Sequence, residues 1–538
     1  MKRTLTLFIY LFCIQISLNA QKYKREDTIR GSITSERSWW DLTYYDLEVS
    51  VDPKSKTIEG KNSIHYKVLK TNNFMQIDLQ PPMQLTKAIQ NGRKLKISHC
   101  GNAHYIHIEK PQIKYNIDSL TVFFEGTPRE AVRAPWDGGF SWKKDKNGTD
   151  FIATTCQGIG ASVWWPNKDH MYDEVDSMKI RVNVPKHLVA VSNGRLIDTS
   201  KSDKSNSYTW FVSNPINNYG VNINIGDYVN FSEIYKGEKG KLNMDYYVLK
   251  HHLKKAKKQF LEAPKMMRAF EHWFGPYPFY EDSYKLVEVP YLGMEHQSSV
   301  TYGNQFKNGY LGKDLSDTGW GLKFDFIIVH ESGHEWFANN ITNKDIADMW
   351  IHEGFTSYAE NLFLDYYHGK EAAATYVIGT RKRIRNDRPL IGDYNVNNEG
   401  SSDIYYKGAN MIHMLRQLTK DDEKWRQILR KMNSKFYHQT VTTQQIEDFL
   451  SKEIGRDLNP FFNQYLRDTR IPVLEYKISK GRLNYRWNNV VSGFDMPVEI
   501  AGKQRTFWIY PRESWNAIDF VDSEIKVDLN YYVKTKQL

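Results

Sequence analysis

His330 and His334, with Glu331 between them, stand in the stretch "FDFIIVHESGHEWFANN" that begins at Phe324. In a helix, residues four apart share a face, with Cβ atoms about 5–6 Å from each other. Both imidazoles can therefore reach one ion, and Glu331 lies where a base acting on water belongs. The competing reading is an apolar helix whose histidines are satisfied by hydrogen bonds. That reading leaves the Glu331 carboxylate buried without a partner, which is costly.

A catalytic zinc takes three protein ligands and keeps one position open. The third should come from outside this helix. "DMWIHEGFTSYAENLF" has a second helical pattern, with Phe355, Tyr358, Leu362 and Phe363 as its buried stripe and Glu353 in its first turns. Glu353 would complete a His₂Glu set. Glu360, two turns further on, and His352, about 100° round the helix, are the alternatives. Asp348, just before this helix, is placed to accept an N–H from one of the histidines.

The elements that carry these residues follow from periodicity. Between about residues 40 and 230, short runs such as "YDLEVSVD", "SLTVFFEG" and "SMKIRVNVP" alternate apolar and polar positions between Asn, Gly, Asp and Pro turns. They predict a large antiparallel β domain. Helical spacing takes over after about residue 235, and strand patterns return from about 472, as in "VLEYKIS" and "RTFWIYP". The expected fold is multidomain α+β, with a β domain at 21–234, a mainly α catalytic domain at 235–471 and a small β-sandwich at 472–538.

Residues 1–20 read as a signal peptide. Lys2 and Arg3 precede an apolar run from Leu5 to Leu18, and Leu18-Asn19-Ala20 offers a cleavage site. The apolar run is shorter than the roughly 20 residues of a membrane span, so a periplasmic or extracellular mature chain is expected. Cys100 and Cys156 then remain, and their spacing does not say whether they pair.

The 538 residues are 40% hydrophobic and 25% charged, the balance of a soluble globular protein. The formal charge of +10 is densest in "KHHLKKAKKQF" at 250–260. Lys250, Lys254, Lys257 and Lys258 fall mostly along one side, opposite Leu253, Ala256 and Phe260, which predicts a solvated helix face. No zinc finger, aromatic RNA-binding sheet or phosphate loop accompanies it, so no nucleic-acid partner is expected.

The chain resembles the zinc aminopeptidases of the aminopeptidase N and leukotriene hydrolase family, gluzincin metallopeptidases. Four motifs carry the resemblance: "FGPYPFYEDSYKLVEVPYLGMEHQSS", "VHESGHEWFANNIT", "DMWIHEGFTSYAE" and "IYYKGANMIHML". It extends over roughly residues 40–475. The resemblance implies a saddle-like N-terminal β domain, a thermolysin-like catalytic domain and one zinc ion held by His330, His334 and Glu353. It assigns the general base to Glu331 and the oxyanion hydrogen bond to Tyr405, with Tyr406 the competing neighbour. Glu295 in the Gly-x-Met-Glu segment would hold the substrate's free α-amino group, assisted by Gln157. Gly293 would align the peptide backbone. Met294, Gln157 and the "SVWWP" segment would line a pocket for an apolar or neutral first residue.

The implied activity is removal of N-terminal residues from peptides. A zinc endopeptidase is the alternative, but it would have no use for Glu295. A peptide-binding member without activity would have lost Glu331 or a ligand, and none is missing. An epoxide hydrolase activity, as in one branch of the family, is not called for by these residues. Three positions depart from the family pattern: His296 and His352 replace Asn, and Ala338 replaces Gly. A charged His296 beside the amine site would weaken binding on the acid side. The large C-terminal helical domain of many relatives is not expected here. The cleft is then either open to longer peptides or closed by a homodimer.

Overall fold

The structure is a computed structural model that describes residues 23–503 and 505–538. The expected signal peptide, 1–20, lies outside the described residues.

Alternation in Trp40–Asp52 buries Leu47, Val49 and Val51 on one side, and this strand sits inside an eight-stranded sheet. It pairs antiparallel with Thr57–Val68 and parallel with Ser177–Pro185, so the β domain contains one parallel pair within the antiparallel pattern. A four-stranded sheet follows the order Val189–Ser192, Ile223–Gly226, Asp150–Thr155, Gly139–Lys144. Trp39, Trp40, Tyr45, Tyr66, Trp164 and Trp165 belong to the apolar core of this domain.

The catalytic domain opens with a five-stranded sheet in the order Tyr228–Gly237, Gly240–Leu249, Tyr284–Glu288, Val300–Tyr302, Gly293–Met294. The boundary read at 234/235 falls inside the first of these strands. Its hairpin with Gly240–Leu249 assigns it to the catalytic sheet, because strand pairing outweighs the change in periodicity that suggested the boundary. Gly293–Met294 is the last strand of the order, paired with Val300–Tyr302 on one side.

Of four helices, Glu262–Phe274 and Phe326–Gly333 pack against this sheet, and Trp350–His368 and Tyr406–Thr419 pack behind them. The Trp350–His368 helix is buried on all sides from Trp350 to Leu364, a wider burial than the expected stripe, since it contacts the other three helices. It meets Tyr406–Thr419 backbone to backbone. A Cβ on Gly408 would lie 2.9 Å from the Gly354 Cα, so Gly408 needs glycine for the helices to approach this closely, while a Cβ on Gly354 would be tight at 3.3 Å from the Ile404 carbonyl oxygen.

The basic run forms a turn and the helix Leu253–Gln259, with Ala256 and Phe260 buried and Lys254, Lys255, Lys257 and Lys258 exposed. After Pro472 the described residues form a four-stranded and a three-stranded sheet, with no large helical domain among them. Their apolar faces join the same core as the catalytic helices. Arg381 fastens the two by donating to the carbonyls of Leu529, Asn530 and Tyr531. No described helix is long and apolar enough to cross a membrane. Cys100 and Cys156 are both free thiols, and burial pushes the Cys156 thiol well up.

Candidate active site

Asp325 starts the His330 helix by accepting from the amides of Ile327 and Ile328. Tyr302, Asn304 and Gln259 also donate to Asp325, which fixes the helix against the sheet. The helix ends at Gly333, and His334 occupies its C-cap. His330 Nε2 and His334 Nε2 lie 3.6 and 3.4 Å from Glu353 Oε2. His330, His334 and Glu353 present ligand atoms that all lie within 4.8 Å of one another.

The back of each imidazole is occupied. His330 Nδ1 is 2.7 Å from Glu360 Oε1, whose other oxygen accepts from the Tyr376 hydroxyl. His334 Nδ1 is 3.0 Å from the Phe337 carbonyl and 3.1 Å from Thr356 Oγ1. Protons on both Nδ1 atoms leave both Nε2 atoms free to ligate. Glu360 is therefore the partner behind His330 and not a ligand. Asp348, read from the sequence as the acceptor for an N–H of one of the two histidines, instead accepts from Thr443 and Tyr394. It ends a one-turn 3₁₀ segment, Ile346–Asp348, and is engaged at the start of the Thr443 helix. His352 accepts from the Asn343 amide and stacks with Tyr219, which removes it as a ligand candidate.

These residues fit a single divalent zinc. Glu353 Oε2 is buried and lacks a hydrogen-bond partner, although it faces two imidazoles. Two histidine nitrogens and one carboxylate are a common zinc donor set. Burial works against the charge on Glu353, yet His334 and His330 outweigh it and hold its pKa below the ordinary range. For Glu331 burial prevails, and with Glu295 and Glu353 nearby its pKa rises to about 7. A carboxylate shifted in that direction is suited to taking and returning a proton near neutral pH.

The amine end is built from both domains. Gln157 Nε2 donates to Glu295 Oε1 at 3.0 Å and to Glu353 Oε1 at 2.9 Å, tying the amine-binding candidate to the metal ligand. Asn339 donates to the Glu295 carbonyl at 2.9 Å. Glu335 accepts from the Ser298 amide and the Tyr277 hydroxyl, so the Gly293–Ser298 segment is fastened to the residues just after His334. Gly293 lies so close to the His330 helix that a Cβ there would be 2.7 Å from Ile327 and 3.0 Å from Glu331 Oε1.

Tyr405 and Tyr406 both line the cavity, but they face different groups. The Tyr405 ring stacks near His330, with centroids 6.1 Å apart. Its phenol pKa is raised by burial and then by Glu353 and Glu295. Burial comes first for Tyr406 too, but the carboxylate next in effect is Glu360, behind His330. Tyr405 is thus the hydroxyl beside the metal and amine groups.

The cavity, of about 550 Å³, is lined by these residues together with Met294, Leu292, Pro135, Trp136, Phe326 and the basic segment Lys382–Arg385. The "SVWWP" segment does not line it. Trp164 and Trp165 are buried in the β-domain core against Phe140 and Tyr45, because a one-turn helix, Ala161–Val163, turns them inward. Trp136 takes the aromatic place on the wall. His296 is also buried: its ring nitrogens lie 3.3 and 3.2 Å from the carbonyls of Gly220 and Thr154, and burial lowers its pKa to about 4. The expected charge beside the amine site is absent at the pH where the ring was thought to ionise.

Sequence reasoning missed Tyr219, a buried phenol whose pKa is raised by burial and then by Glu295 and Glu353. It sits in a polar turn of the β domain with no local signal. Asn339, five residues past His334, could have been found by asking what holds the Glu295 backbone.

Comparison with known proteins agrees with this architecture. The peptidase family M1 domain matches residues 259–465, and the peptidase M1 N-terminal domain matches residues 42–219. The chain belongs to peptidase family M1. It is 21% identical over 460 residues to the puromycin-sensitive aminopeptidase of Caenorhabditis elegans, covering 80% of this chain and 47% of that one. It is 26% identical over 449 residues to the leukotriene A-4 hydrolase of Xenopus laevis, covering 76% of this chain and 68% of that one. The chain thus spans about half the length of the first relative and about two thirds of the second. Among solved structures, the M1 zinc metallopeptidase of Deinococcus radiodurans, as a mutant bound to a Tyr-Ser-Ala substrate, has the same fold. Its TM-score is 0.67 at 18% identity, with 80% of this chain and 95% of that chain covered.

Proposed function

We propose that this protein is an exported zinc aminopeptidase that removes single residues from peptides with a free amino terminus. The observation that carries the reading is the Gln157 amide bridging Glu295 and Glu353, which holds a carboxylate for an ammonium beside the metal triad.

His330, His334 and Glu353 would hold the zinc, which would supply Lewis acidity to a water and to the scissile carbonyl. Glu331 takes the proton from the attacking water and delivers it to the leaving amine. The Tyr405 hydroxyl donates to the oxyanion as it develops, a contribution commonly worth about 3 kcal/mol. Glu295 accepts from the substrate ammonium, and Gln157 keeps the carboxylate turned toward it. The open edge of Gly293–Met294 aligns the peptide as an added strand. Met294 and Trp136 on the wall favour an apolar or neutral first residue.

A panel of aminoacyl-naphthylamides, with and without a zinc chelator, tests the reading. Turnover should vanish with chelator and return with added zinc. Glu331→Gln should bind zinc in the same ratio and turn over about 10²- to 10⁴-fold more slowly. An active Glu331→Gln protein would place the base elsewhere. The export half of the proposal rests on the leader pattern in residues 1–20 and is tested by recovering a chain that begins at Gln21 from outside the cytoplasm.

A further inference from the structure

We propose that a second cavity, of about 450 Å³ beyond Leu292 and Trp136, receives the third residue of the peptide and selects apolar and aromatic side chains there. The proposal deepens the aminopeptidase reading and rests on it, because the position of Glu295 sets the direction in which a substrate runs. With its amine at Glu295, the peptide passes Met294 and then Gly293, antiparallel to that strand. Each residue advances it by about 3.3 Å. The paired strand is only Gly293–Met294 long, so it accompanies about two residues of substrate. At the Gly293 end of that strand the chain turns through Leu292, Tyr291 and Pro290, all on the wall of the second cavity.

Leu292 and Trp136 line both cavities, so the two spaces adjoin at these side chains. Trp136 is 62% exposed, an unusual state for a large aromatic, and it stands where the two cavities adjoin. Tyr302 and Phe306 add aromatic wall beyond it. The one carboxylate on the lining, Glu288, is already engaged by His252 at 2.6 Å and by the Leu249 amide at 2.8 Å. The lining also carries Lys255, His252 and Gln305, and the rest of the surface that reads a side chain is apolar and aromatic: Trp136, Tyr291, Leu292, Tyr302, Phe306 and Leu311.

The test compares kcat/KM for Leu-Gly-Phe and Leu-Gly-Gly in the wild-type protein, Trp136→Ala and Trp136→Phe, with leucyl-naphthylamide as the activity control. The wild type should prefer phenylalanine at the third position at least tenfold. Trp136→Ala should reduce that preference below threefold, and Trp136→Phe should restore most of it. The ratio within each protein is the readout, so a change in folded fraction cancels. Equal rates on the two tripeptides in a wild type that turns over leucyl-naphthylamide would overturn the proposal and leave the aminopeptidase reading standing. An undiminished preference in Trp136→Ala would do the same. Absence of naphthylamide turnover would overturn the aminopeptidase reading, and this proposal with it.

Discussion

At the scale of single residues, His296 shows how burial overrides type. Its place after Glu295 suggests an ionisable ring near the substrate ammonium, yet the folded ring stays neutral until about pH 4. An unfolded chain takes up that proton near pH 6.5. The neutral ring's contribution to stability is therefore complete above about pH 6.5 and is lost as pH falls toward 4, by about 1.4 kcal/mol per unit. His296→Asn should lose less melting temperature than the wild type between pH 7 and 4.5, while the acid limbs of their kcat/KM profiles coincide. Parallel melting curves would contradict this. Where spacing alone fixes geometry, the sequence sufficed: His330 and His334 share a helix face. Glu353 was singled out from Glu360 and His352 only by the family resemblance. Spacing cannot show which atoms lie behind a ligand. Glu360 and not Asp348 backs His330 because helix rotation and a one-turn segment before Trp350 decide it.

Secondary-structure elements were legible as far as periodicity reports them, and the contacts between elements were not. The strands of the β domain and the helices around His330, Glu353 and Tyr405 follow their apolar spacing. Their closest crossing, Gly354 on Gly408, depends on the absence of side chains, which no periodicity reveals. Gly408→Ala should force the two helices apart, costing about 1–3 kcal/mol, and should lower kcat by moving Tyr405 relative to Glu353. Unchanged melting and kcat would show the crossing to be loose. Ala338 has φ of +154° in the segment that presents the Phe337 carbonyl to His334 Nδ1. That conformation strains an alanine by about 1–3 kcal/mol, whereas glycine adopts it at an entropic cost of about 0.5–1 kcal/mol. Ala338→Gly should therefore raise stability by about 1 kcal/mol, read as a higher denaturant midpoint. A lower midpoint would refute the assignment of strain. The alanine in a family position usually held by glycine thus has a measurable structural consequence.

Across the whole molecule, two apolar cores meet at the site. Val287, Val289, Tyr291 and Met294 pack with the β domain, while Leu286 and Val300 pack with the catalytic helices. The sheet that carries the amine-binding candidate therefore straddles the seam, and Gln157 reaches across it to Glu353. The order of domains was readable from composition. The seam was not, because strands from Tyr228 onward join the catalytic sheet while keeping the alternation of the β domain. The union of metal triad and amine anchor is the arrangement on which the proposed exopeptidase activity rests. It is tested most directly by incubating one hexapeptide with the zinc-loaded protein, free or acetylated at its amino terminus, and following products by mass. The free peptide should shorten one residue at a time from its amino end, and the acetylated peptide should persist. Internal cleavage, or equal loss of the acetylated peptide, would contradict the assignment of Glu295 and the activity built on it.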